Sequence, residues 1–169
     1  MSEFGVDFRT VEQEVRKKSF GVLSVVDSKG RPHSTGILFG VSPPQSKFAL
    51  YIIAGRRYAK VRHIKRNPNV SLVVTFPHYY IRFAPASYAM FRGVADFVSI
   101  DDEDVRWAFR QKRILRMSID TAIEDQEIVV IRIRPEPTVF CYGVGIGLIE
   151  LRKSLESGSY KVTIPEHRL

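Results

Sequence analysis

The sequence predicts a mainly β, α+β fold: a mostly antiparallel barrel of six or more strands with a few short helices. Three observations predict it. Six segments are rich in β-branched and aromatic residues, among them "FGVLSVV", "FALYIIAG" and "NVSLVVTF". The connections carry turn residues such as Asp, Gly, Pro and Asn. Helical stretches are few and short, which favours a sheet that closes on itself.

In chain order, "TVEQEVRKKS" reads as a first helix, over about residues 9–19. "FGVLSVVDSKGRPHSTGILFGV" reads as two strands joined by the turn "DSKG", where Gly30 is free to take a positive φ. Pro43 and Pro44 make "SPPQSK" a loop, because neither can donate to a ladder. "FALYIIAG" is a third strand. "YAKVRHIKRN" is a short helix ended by Pro68, which disfavours helical geometry at Asn67. "NVSLVVTF" is a fourth strand, "PHYYIRFAPASY" an aromatic loop and "AMFRGVADFVSI" a fifth strand. "DDEDVRWAFRQKRILRM" opens acidic and closes basic, the polarity that suits a helix dipole. "EIVVIRIRPEPTVFCYG" is a sixth strand that ends at Pro135 or runs past it. A short helical segment and a short strand are expected in the C-terminal extension, about residues 144–169.

The length suits one domain, residues 1–169, with a sizeable core. No apolar run is long enough to cross a bilayer, and residues 1–18 lack the order of a secretory signal. Cys141 is the sole cysteine, which excludes an internal disulfide and fits a cytoplasmic location. The net charge is +8, and no Asp or Glu occurs from Ser28 to Ala95. Such a one-sign field attracts anions: a phosphate, a carboxylate-bearing ligand or nucleic acid.

The field peaks in "AGRRYAKVRHIKRNPNV". This segment leaves a strand, turns at Gly55 and enters a helix near Tyr58. Arg56, Arg57 and Lys60 crowd the positive end of that helix, an arrangement that costs stability until an anion arrives. Arg62, Lys65 and Arg66 lie further along, where cations suit the dipole and face solvent. From these residues alone, a phosphate ligand and nucleic acid are equal alternatives, the latter with help from the aromatics of "HYYIRFAPASY".

The wider order of residues separates them. Gly30 with Pro32, a strand through Leu50–Ile52, Lys60, Asn67–Pro68 and then Gly93–Ala95 recur in an ordered set. Over about residues 18–100 this set resembles the pyridoxamine 5′-phosphate oxidase-like, flavin-binding split-barrel family. The resemblance implies an antiparallel split β-barrel and a homodimer with FMN at the subunit interface. It implies that Thr35, Gly36, Ile37 and Leu38 line the flavin, that the backbone of Ile53 and Ala54 meets its ring, and that Lys60 binds its phosphate. Tyr88 would reach the cofactor from the partner chain. Two departures stand out: Ala59 replaces a basic residue common before the lysine, and Thr35 replaces an arginine of the oxidases. Arg56 or Arg57 would then supply the missing charge. The oxidases' C-terminal Arg/His segment is also missing, so pyridoxamine phosphate oxidation is not expected. Other members bind a deazaflavin coenzyme or haem, and both remain open as cofactors. The expected function is that of a small flavin-dependent oxidoreductase with a small-molecule substrate, or of a flavin- or haem-binding module without turnover.

The other chemistry-bearing residues read more plainly. The four histidines show no metal-ligand spacing. Ser34 has no histidine or acid at a telling distance for a hydrolase. Cys141 sits among apolar residues, and "GVGIG" lacks the setting of a dinucleotide loop. No catalytic side chain is assigned, since in flavin sites the cofactor carries the chemistry.

Overall fold

The computed structural model describes residues 5–77, 86–124, 127–147 and 158–169, without the side chains of 122–124. The aromatic loop residues Tyr79, Tyr80 and Phe83 lie outside the described residues.

The first helix, α1 (Phe8–Arg16), starts where the Asp7 carboxylate accepts the Thr10 backbone N–H at 2.9 Å. Phe8, Val11 and Val15 recur at helical spacing and form its buried face. Strands β1 (Phe20–Val26) and β2 (Pro32–Leu38) form the expected hairpin. Gly30 in its turn has φ 77°, and the Asp27 carboxylate accepts the N–H groups of Lys29 and Arg31. Next come β3 (Gly40–Val41), β4 (Leu50–Gly55), α2 (Ala59–Arg66), β5 (Asn69–Phe76) and β6 (Ser87–Val98). The chain closes with α3 (Glu103–Arg110), α4 (Arg113–Glu124), β7 (Ile128–Tyr142), β8 (Ser159–Thr163) and a 3-10 turn, Glu166–Arg168.

One antiparallel sheet holds all eight strands in the order β2-β1-β5-β6-β7-β4-β3, with β8 added to β7. The sheet curls into a split barrel. β2 and β4 approach one another, yet no ladder joins them. That seam is the split. Inside the curl lies one core, with Leu23, Phe39, Ile52, Leu72, Phe91, Ile131 and Val139 fully buried. A second cluster covers the outer face of β4 and β7: Tyr51 and Val130 meet Val105, Phe109, Leu115 and Ile119 of α3 and α4.

Several boundaries differ from the sequence reading. Strands number eight among the described residues: the short C-terminal strand expected is Ser159–Thr163, and Gly40–Val41 pairs as well. The first helix stops at Arg16 rather than Ser19. The long acidic-to-basic segment is two helices, broken at Gln111 and Lys112. β7 runs through both Pro135 and Pro137. It can do so because the β6–β7 register shifts between Phe91 and Gly93, where Pro135 faces Gly93. A Cβ on Gly93 would lie 2.2 Å from the Arg134 carbonyl oxygen, so only glycine permits this approach.

Candidate functional site

Of the three buried side-chain polar atoms without a hydrogen-bond partner among the described residues, two lie on β2 and α2, beside the seam between β2 and β4. Alternation along β2 puts His33, Thr35 and Ile37 on the barrel side and Ser34, Gly36 and Leu38 on the other. Ile37 joins the inner core, whereas Leu38 packs with the outer cluster alongside Ile53. Ala54 is buried in the inner core at the end of β4. Gly36 faces the ring of Phe20, which a Cβ there would meet at 2.9 Å. Thr35 Oγ1 is buried without a hydrogen-bond partner.

Helix α2 begins beside the end of β4. Tyr58 is its N-cap in an extended conformation, no side chain caps the helix, and its first turn holds no acid. Lys60 is half-buried and has no carboxylate partner among the described residues; its Nζ lies 5.6 Å from the Tyr58 ring centroid. Burial holds the Lys60 ammonium below the usual lysine range. One helical turn on, His63 buries an unpartnered Nδ1 and meets the His33 ring edge-on at 5.5 Å between centroids. That contact ties α2 to the inward face of β2, the face that carries Thr35. A desolvated cation and two orphaned polar atoms thus lie on α2 and on the inward face of β2, and a hydrogen-bonding anion or polyol would satisfy them.

The arginines divide. Arg57 is exposed and pairs with Glu127 at 3.3 Å. Arg56 is exposed with no ion pair among the described residues, while its backbone N–H donates to the Glu127 carbonyl at 2.6 Å. Lys65 and Arg66 face solvent, Lys65 lying 6.0 Å from the Phe97 ring. Tyr88 is not gathered with the rest. It sits within β6 rather than before it, stacks on Tyr142 at 5.9 Å, and pairs with the end of β7 opposite to the end that meets Gly55. Its strand neighbours are Thr75 and Tyr142, neither of them on β2 or β4.

Two features of the surroundings escaped the sequence. An open groove of about 490 Å³ runs from Ile53–Gly55 and Tyr58 to the exposed Ile114 and Met117 of α4. The i, i+3 spacing of Ile114 and Met117 is its only trace in the sequence. His63 was equally hidden, because its role depends on the α2–β2 packing. Among the described residues no cluster of His, Cys, Asp or Glu could hold a metal ion. Burial pushes the Cys141 thiol up to about 12, which leaves it unreactive near neutral pH.

A family model described as pyridoxamine 5′-phosphate oxidase matches residues 9–141, most of the chain and all of the seam. The chain belongs to the pyridoxamine 5′-phosphate oxidase family. No curated protein matches it. Solved structures share the fold. HutZ, the haem storage protein of Vibrio cholerae, superposes with a TM-score of 0.65 at 23% identity, over 83% of this chain and 99% of its own. A haem binding protein of Mycobacterium smegmatis gives 0.67 at 14% identity, over 92% of this chain and 55% of its own. A Listeria innocua protein described as a pyridoxamine 5′-phosphate oxidase gives 0.56 at 19% identity, over 79% and 95%. At these identities the likeness is one of fold, a fold shared by proteins named for haem and by one named for pyridoxamine phosphate oxidation.

Proposed function

We propose that this protein binds FMN at the β2–β4 seam and acts as a small flavin-dependent oxidoreductase on a small-molecule substrate. The observation that carries the reading is Lys60, a partly desolvated cation without a carboxylate, set at an uncapped helix N-terminus. A phosphate monoester carries nearly two negative charges at neutral pH and three acceptor oxygens, which suits that position. Thr35 Oγ1 and His63 Nδ1 are two further polar atoms that a ribityl chain or phosphate can satisfy. Residues Thr35 to Leu38 would line one edge of the flavin, and the backbone of Ile53 and Ala54 would meet the ring. Arg56, free of an ion pair, is better suited than Arg57 to supply a second positive charge. Bound FMN supplies hydride or electron transfer; the chain's own part is to hold the phosphate, fix the ring and exclude water. The groove bounded by Tyr58, Ile114 and Met117 is the place for a substrate. On the same reading the protein is a cytoplasmic homodimer of one flavin-binding unit per chain, with Tyr88 serving the partner's cofactor.

A second reading is haem binding without turnover, favoured by the haem proteins among the structural neighbours. A deazaflavin coenzyme remains a third occupant of the same seam, since its acidic tail suits the acid-free stretch. The absorption spectrum and mass of the ligand that co-purifies with the protein separate the three. Flavin bands with the mass of FMN are expected. A Soret band, or no ligand and no flavin uptake, would overturn the flavin reading.

A further inference from the structure

The acid-free stretch does not hold all of the unbalanced charge. On the far side of α4, the end of α1, strand β3 and the α3–α4 corner enclose a cleft of about 260 Å³. Arg16, Lys18 and Lys112 line it, and no Asp or Glu does. Arg16 is held away by the Glu12 carboxylate, which it meets at 2.6 Å, and by the Ser42 carbonyl, to which it donates at 2.7 Å. Lys18 and Lys112 have no carboxylate partner among the described residues. The Lys112 ammonium donates to the Lys18 carbonyl oxygen, and the Lys18 ammonium lies 5.7 Å from the Phe76 ring.

We propose that this cleft is a second anion site, in which Lys18 and Lys112 together hold the phosphate or carboxylate group of a small metabolite. Two half-buried lysines brought to one cleft set like charges close together, and an oxyanion between them offsets that repulsion. The cleft's walls are fixed rather than collapsible. A Cβ on Gly40 would lie 2.9 Å from the Ala108 side chain and 3.1 Å from its carbonyl oxygen, so α3 is seated tightly on β3. Trp107 and Gln111 form the α3 wall, and the Gln111 amide is oriented by its donation to the Trp107 carbonyl at 2.9 Å. The volume matches roughly eight or nine waters at about 30 Å³ each, room for an oxyanion on a few carbons. The electrostatics agree: Lys112 is held down to about 8, first by burial and then by the charge of Lys18. Arg16 and Lys18 face it from the α1 side, and β3 contributes apolar atoms.

An anion in the cleft must raise the Lys112 pKa, because it favours the charged form. The test is trace acetylation of the full chain near pH 8, read at each lysine by mass spectrometry, with inorganic phosphate or succinate as probe. Labelling of Lys112 should fall severalfold, about fivefold for the first unit its pKa rises, while Lys65 stays constant. Protection by phosphate alone or by succinate alone identifies the anion class. Lys60 is read in the same digest, so phosphate at the β2–β4 seam is scored separately. In Lys18→Gln, with the fold checked by circular dichroism, protection of Lys112 should be largely lost. Unchanged Lys112 labelling with both probes, an equal fall at Lys65, or full protection in K18Q would each overturn the proposal.

Discussion

Lys60 and Lys65 stand five positions apart on one helix and illustrate how environment, not residue type, decides a role. Lys60 is half-buried and its ammonium is disfavoured by desolvation, whereas Lys65 is exposed. A phosphate at the α2 N-terminus would gain a charge-assisted hydrogen bond from the first and little from the second. Lys60→Ala should therefore weaken FMN binding by about 1.5–3 kcal/mol, roughly tenfold or more. Lys65→Ala should change it by well under about 1 kcal/mol. Fluorescence titration of the two variants checks this, and equal affinities would return the basic run to a plain surface. The sign with pH follows. A depressed lysine loses its proton earlier than a free one, so flavin affinity should decline with rising pH before ordinary lysines titrate. In K60A that early decline should disappear.

At the scale of elements, the C-terminal turn is bound to α1 by a three-member ionic cluster. Glu12 Oε1 accepts from Arg16 Nη2 at 2.6 Å and from Arg168 Nη2 at 3.0 Å, and both Glu12 and Arg168 are buried. Removing the carboxylate leaves a buried guanidinium without its counter-charge. Glu12→Gln should thus destabilise the fold by about 3 kcal/mol, measured as a lower urea midpoint with an unchanged slope. This cluster also shows where sequence reading stops. The β1–β2 hairpin, β5 and α2 follow from local chemistry: β-branched runs, "DSKG" and Pro68. Lys60 was legible for the same reason, as a cation placed against a helix dipole. The Glu12–Arg168 pair was not, because nothing local joins positions so far apart in the chain. Nor was β3, whose two residues carry too little pattern, nor the path of β7 through two prolines, which depends on the register of β6. Tyr88 was placed by resemblance, and in this chain it pairs with Thr75 and Tyr142 rather than with β2 or β4.

At the scale of the whole molecule, the proposed homodimer would make the oligomer part of the site. If Tyr88 serves a partner's flavin, dilution to monomer should release cofactor. Sedimentation with detection at the flavin band tests it; a monomer that retains full flavin would refute the shared site. The sheet order has a further consequence, for the chain as it is being made. β4 is synthesised early, but its long partner β7 comes only after β5, β6, α3 and α4. Until then the apolar segment "LYIIAG" has just the two-residue β3 beside it, an open edge of the kind that recruits other chains. Arg56 and Arg57 follow that segment directly and act as gatekeepers, keeping nascent chains apart by charge. Arg56→Gln with Arg57→Gln should raise aggregation during refolding, seen as light scattering. Both side chains are exposed, so native stability should shift by no more than about 0.5 kcal/mol.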